Sequence, residues 1–363
     1  MRSARPVGLL LSAAAVVLWA FGVTVLQPLT EPIGPWSERL PGNNAYWARD
    51  LRFMAIMAVA VGLVLAGRGR LRWSRPAVLL GGCWVAADVA IDRVDPTGGQ
   101  ATALLAVGGC AVLGALAAVL LWRERGSFPE HGAPEAAERG RPSASGRSAP
   151  EAAERGGPSA WGRGAPDAAE RKALTGAACV AGVLTIVAAG VESPTDREPE
   201  LNQGALVTAA LLVVLAVAAA LAAAPARPRA RVGLAAGVAV AALLGVALVR
   251  AVPPETRLLP EMALGAVLLT GVTLLAWDWP GGRPVWRHHA LAALAALVGP
   301  VAFLLVTAIP MLVVLPIGAT FTALAGNSPI HAADSDLLVS LCGLLSGLGM
   351  ALLLAWPTAG IRR

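Results

Sequence analysis

Charge is what this sequence has least of. Only 14% of its 363 residues are Asp, Glu, Lys or Arg, against roughly 25% in soluble domains. So few charges cannot coat a water-facing globular surface. Lysine is almost missing, since Lys172 is the one basic residue that is not Arg. Tyrosine occurs once and histidine four times. Cys83, Cys110, Cys179 and Cys342 all lie inside apolar runs, with no CxxC pair and no Cys/His cluster. That argues against a zinc site and leaves them as small apolar packing residues. His131, His288, His289 and His331 lie outside the middles of the apolar runs, which argues against a bis-His haem within a bundle. There is no P-loop, GxSxG, HExxH or Gly-rich dinucleotide fingerprint. No cofactor or metal is expected.

What is present is apolar surface. Hydrophobic residues make up 56% of the chain, and the mean hydropathy is +0.65. Many runs approach 20 residues, the length needed to cross a bilayer. Ten spans are expected, near 7–28, 51–67, 77–93, 101–122, 173–191, 204–224, 232–252, 262–277, 290–315 and 337–356. Helices are the element of choice, because each backbone polar group in hydrocarbon must bond within its own segment. The runs do not alternate as barrel strands do. The fold class is therefore all-α polytopic integral membrane protein. The basic start and apolar core of the N-terminus resemble a signal peptide, but the run is longer than the usual h-region. It reads as a retained first span.

Arginine sets the expected orientation. With the N-terminus inside, the inner segments hold 22 of the 29 basic residues, as the positive-inside rule requires. Both termini are then cytoplasmic, and the cell membrane is the expected location. The net charge of +6 is explained by this topology, so no nucleic-acid partner is expected. The expected partner is the lipid bilayer, with a membrane protein or a second copy as further options.

Four segments follow. Residues 1–122 form a first membrane unit, and 123–172 a polar cytoplasmic linker. Residues 173–277 form a second unit, and 278–363 a C-terminal membrane segment. The linker carries a repeat, APEAAERGRPSASGRS (133–148) followed by APEAAERGGPSAWGRG (149–164). Its Pro, Gly, Ser and charged content predicts disorder. The two units share a pattern: an apolar run, an Arg-rich inner turn, an apolar run, then DRVDP or RAVPP. Two parallel four-helix repeats plus two extra helices fit that pattern. In the C-terminal segment Pro300, Pro310 and Pro316 interrupt a long run. This predicts one broken span followed by a kinked, re-entrant or interfacial stretch before Asn327. Gly233 with Gly237, and Gly343 with Gly347, have the GxxxG spacing of close helix contacts. Trp19, Trp36, Trp47, Trp122, Trp277, Trp279, Trp286 and Trp356 are expected as interfacial anchors.

The candidate site is the outer end of the third span, WVAADVAIDRVDP. Asp88, Asp92 and Asp95 have spacings of four and three and share one helical face. Three carboxylates there could bind a cation, take up protons or act as acid and base. Arg250, at the matching end of the seventh span, is expected either to pair with Asp88 or Asp92 or to snorkel to the outer surface; an Asp88–Arg250 ion pair near the outer face is the hypothesis drawn from the first option. The first outer loop offers Trp36, Asn43, Asn44, Tyr46, Trp47, Arg49 and Asp50 as a second, weaker surface. No polar segment is large enough to form a soluble catalytic domain. Three functions remain: a transporter or permease-like protein, a non-catalytic accessory or assembly component, and a membrane enzyme using Asp88, Asp92 and Asp95. The first is slightly favoured, and enzymatic activity is the least expected.

Overall fold

The structure, a computed structural model, describes residues 4–30, 47–126, 166–190, 199–253, 256–280, 283–287, 289–290, 292–299, 302, 305, 317–327 and 338–360. The linker repeat up to Ala165, the first outer loop up to Tyr46 and most of 290–315 lie outside the described residues. Every long element among the described residues is helical. Helix α1 (Ala4–Phe21) runs through a π-helical turn (Gly22–Leu26) into α2 (Gln27–Thr30), one apolar rod from Ala4 to Thr30. There follow α3 (Ala48–Ala66), α4 (Leu71–Asp92), α5 (Gly98–Gly126) and α6 (Ala168–Gly190). Then come α7 (Pro199–Ala223), α8 (Arg229–Ala251), α9 (Leu258–Ala276), α10 (Ile317–Ala325) and α11 (Leu338–Gly360).

Seven helices among the described residues are long and apolar enough to cross a membrane: the Ala4–Thr30 rod and α4 to α9. This is the build of a helical membrane protein. Most helices overshoot the apolar windows read from the sequence by several residues, because polar residues at the bilayer boundary continue the helix. Leu71–Arg75 extends α4 through Pro76, for example. Helix α3 is the exception to the apolar rule. It carries Arg49, Asp50 and Arg52, yet nearly all of it is buried.

Small residues bring the helices together. A Cβ at Gly8 would stand 2.5 Å from the Gly62 carbonyl oxygen, and one at Gly62 would collide with Ser12. Thus α1 and α3 nearly touch backbone to backbone, and Ser12 Oγ donates to the Val59 carbonyl at 3.1 Å. The Gly343/Gly347 pair does the same for α11 on α6, where a Cβ at Gly347 would lie 2.6 Å from Val180 Cα. Gly233 and Gly237 have no other group within 4 Å, so that spacing makes no helix contact here.

In the first unit α1 packs on α3 and α5, and α3 packs on α4. In the second, α6 packs on α7 and α9, and α7 packs on α8. Helices α1 and α3 meet α6 and α7 across the units. At one end of the bundle, hereafter proximal, Glu124 on α5 accepts from Arg5 (2.8 Å), Arg70 (3.4 Å) and Trp73 Nε1 (3.0 Å), and pairs with Arg72 (3.0 Å). Arg70 also reaches Glu170 at 3.1 Å. The α3–α4 turn that presents Arg70 needs left-handed backbone at Arg68 (φ 59) and Gly69 (φ 77). A side chain at Gly69 would meet the Glu170 carbonyl.

Candidate functional site

The opposite, distal end holds the site. Asp88 and Asp92 lie one turn apart on α4 and face inward, while Arg49 and Arg52 lie three residues apart on α3. Antiparallel packing of α3 on α4 sets the two pairs side by side. Arg52 donates Nε to Asp88 Oδ1 at 3.1 Å, Nη2 to Asp88 Oδ2 and Nη1 to Asp92 Oδ1 at 3.0 Å. Trp19 Nε1 donates to Asp88 Oδ1 at 2.7 Å. Arg49 Nη2 stands 3.4 Å from Asp92 Oδ2, and its Nη1 donates to Thr322 Oγ1 at 2.6 Å. Asn327 Nδ2 completes the set at 3.3 Å from Asp92 Oδ2. Two cations and two anions make the cluster neutral. Arg52 and Asp88 are 1% and 0% exposed.

Local backbone makes this possible. A Cβ at Gly22 would stand 2.7 Å from Arg52 Cγ, so the glycine at the start of the π-turn leaves room for the arginine stem. Such turns are often found at functional positions. Trp19 is fixed edge-on against Trp84 at 5.3 Å. Phe321 of α10 packs edge-on against Phe53 at 5.8 Å. That contact, with Thr322 and Asn327, seats the short α10 over the cluster. Asp50 makes a second link to the C-terminal segment, accepting from the Ser340 backbone N–H at 3.0 Å and from its hydroxyl.

Depth gives the cluster its cost. Trp73, in the proximal network, and Asp88 are about 22 Å apart along α4 at 1.5 Å per residue. A hydrocarbon core is about 30 Å thick. With the proximal network at one boundary, Asp88 and Arg52 stand below the other.

Of the sequence-derived candidates, the structure brings Asp88 and Asp92 together and leaves the other two apart. Asp95 follows the end of α4, exposed and left-handed (φ 48). Arg250 ends α8, where its Nε donates to Asn202 Oδ1 at 2.8 Å and its Nη1 to the Ala189 carbonyl at 3.4 Å. The partner of Asp88 is therefore Arg52, not Arg250. Arg49, expected in the first outer loop, is buried, and so is Arg52. Trp19 is a core residue, not an interfacial anchor. The available signal was an arginine inside the second predicted span, matched by an aspartate at similar depth in the third.

Every carboxylate oxygen of Asp88 and Asp92 is engaged, so this arrangement offers no free acid, base or cation ligand. Among the described residues no three His, Cys, Asp or Glu side chains converge as metal ligands. What it can do is lock the ends of three helices to α10. Comparison with family models, curated proteins and solved structures gives no match for this chain.

Proposed function

We propose that this protein is a permease-like membrane transporter whose distal entrance is closed by the Arg49/Arg52–Asp88/Asp92 cluster under α10. In this reading both termini face the cytoplasm, the protein spans the cell membrane and the distal end faces outward. The two four-helix sets act as parallel repeats, which three shared neighbour relations support (α1–α3, α1–α5 and α3–α4 against α6–α7, α6–α9 and α7–α8), while the α8–α9 and α7–α9 packing of the second set has no counterpart in the first among the described residues.

The observation that carries the reading is the division of the cluster between α4 and α10. Its inner half, Arg52 with Asp88 and Trp19, is a fork of short, charge-assisted bonds. Its outer half, Arg49 and Asn327, sits on Asp92 at 3.4 and 3.3 Å and reaches α10 through the 2.6 Å Arg49–Thr322 bond. A buried ion pair is no more stabilising than a well-packed apolar substitute, and intramembrane charges mark pathways and switches. Among the described residues Arg52 bonds Asp88 and Asp92 of α4 and not α10, which makes a hinge line: α10 can leave while Arg52 stays. Asp88, Asp92 and Asp95 line no common cleft, which weighs against the enzymatic alternative.

Thiol accessibility tests this. Thr322→Cys is placed in a variant with Cys83, Cys110, Cys179 and Cys342 replaced by Ala, and labelled in intact cells with a membrane-impermeant maleimide. The expected result is slow labelling that rises about tenfold when Asp92→Asn weakens the outer half by one charged bond. Equal, negligible labelling in both backgrounds would mean that α10 does not open and would remove the gate.

A further inference from the structure

At the proximal end, Arg231 occupies the first turn of α8 and is 2% exposed. No carboxylate pairs with it among the described residues. Its guanidinium lies over the Trp279 ring, the central carbon 4.3 Å from the centroid. Its Nη2 donates to the Trp277 carbonyl at 3.2 Å. Nε and Nη1 have no hydrogen-bond partner among the described residues. The nearest candidate anion, Asp278, is engaged by Arg171 at 3.0 Å. A buried cation with two idle donor nitrogens is costly, so the site lacks an acceptor.

The surroundings say what kind. The first N–H groups of any helix have no partner within it. At α8 the Arg231 and Val232 N–H groups already donate to the Pro228 carbonyl at 2.9 and 3.3 Å, which leaves only those of Arg229 and Ala230 ahead of them. The helix dipole there favours an anion. Trp286 and Arg287 are exposed close by in the chain, and His289 stacks on Trp277 at 5.2 Å. Tryptophan beside arginine at helix ends marks the depth of lipid headgroups, where phosphate is the abundant anion. A planar guanidinium fork fits phosphate oxygens better than a point charge does.

We propose that Arg231, braced on Trp279 at the start of α8, binds the phosphate of an anionic phospholipid at the proximal membrane face. The site stands apart from the distal cluster and does not depend on the gate. It gives the second unit a lipid anchor where the first has the Glu124 network.

The test uses the full-length protein in neutral detergent, with phosphatidylglycerol, phosphatidylcholine and inorganic phosphate as probes. Native mass spectrometry should show phosphatidylglycerol held more tightly than phosphatidylcholine. Arg231→Gln should weaken phosphatidylglycerol at least about tenfold, as expected for a lost charge-assisted bond, while Arg287→Gln should not. In the wild type, amide hydrogen exchange across 229–232 should slow with phosphatidylglycerol. Unchanged lipid affinity in Arg231→Gln would overturn the site. If that variant does not fold, exchange in the wild type decides: slowing by phosphatidylglycerol supports the site, and no slowing overturns it. Slowing by inorganic phosphate alone would overturn the lipid assignment in favour of a soluble anion.

Discussion

At the residue scale, Asp88 shows both what the sequence reveals and what it hides. An aspartate inside an apolar helix is conspicuous, because burying its charge alone is prohibitive. Its partner was not visible, because helical spacing relates residues within one element only. Arg250 matched Asp88 by position in the repeat, but Arg52 meets it through the antiparallel crossing of α3 on α4. A double-mutant cycle separates the two. Asp88→Asn or Arg52→Gln leaves a buried charge unpaired, and each should cost about 3–5 kcal/mol in mixed-micelle unfolding. Together they should cost less than their sum by about 0.5–3 kcal/mol. Asp88→Asn with Arg250→Gln should be additive, since Arg250 bonds Asn202 and the Ala189 carbonyl at the end of another helix. Non-additivity in the second pair and additivity in the first would restore the Arg250 pairing.

At the element scale, the helices were legible and their contacts were not. Apolar run length places the rods, because hydrocarbon admits no other backbone. Which glycines face a neighbour depends on packing between helices, so two GxxxG spacings of equal appearance behave differently. Gly347 lies where a side chain would strike Val180, whereas Gly233 and Gly237 face open space. Gly347→Leu should therefore destabilise the fold by about 1–3 kcal/mol, the range for overpacking, through separation of α11 from α6. Gly233→Leu should leave the unfolding midpoint unchanged in the same measurement. Loss of stability at Gly233 instead would place an unseen partner on α8. The charged start of α3 was also hard to read: ARDLRF resembles a loop entering a span, yet it is buried because α4, α10 and α11 supply its partners.

At the scale of the whole molecule, the two units must stay joined across the linker, and the proximal network explains how they can. Glu124 stands two residues before the end of α5, and Glu170 lies in the first turn of α6. Arg70, from the α3–α4 turn, bonds both. One side chain thus holds together the two points from which residues 127–167 depart. The helix ends are positioned by the bundle rather than by the length of chain between them, and closing a shorter loop between fixed ends costs less entropy, not more. Deleting Ala133–Arg163 leaves about ten residues between Gly126 and Ala168, able to span roughly 35 Å when extended. That exceeds the separation of two helix ends clasped by one arginine. The shortened protein should insert, purify as the same species in detergent and unfold within about 0.5 kcal/mol of the parent, as distant surface changes do. Arg70→Gln, by contrast, removes the clasp without shortening anything. It should lower stability in the shortened protein and in the parent alike, because the bond it breaks lies between helices. A large loss on deletion, with Arg70→Gln silent, would mean that the repeat itself holds the units together.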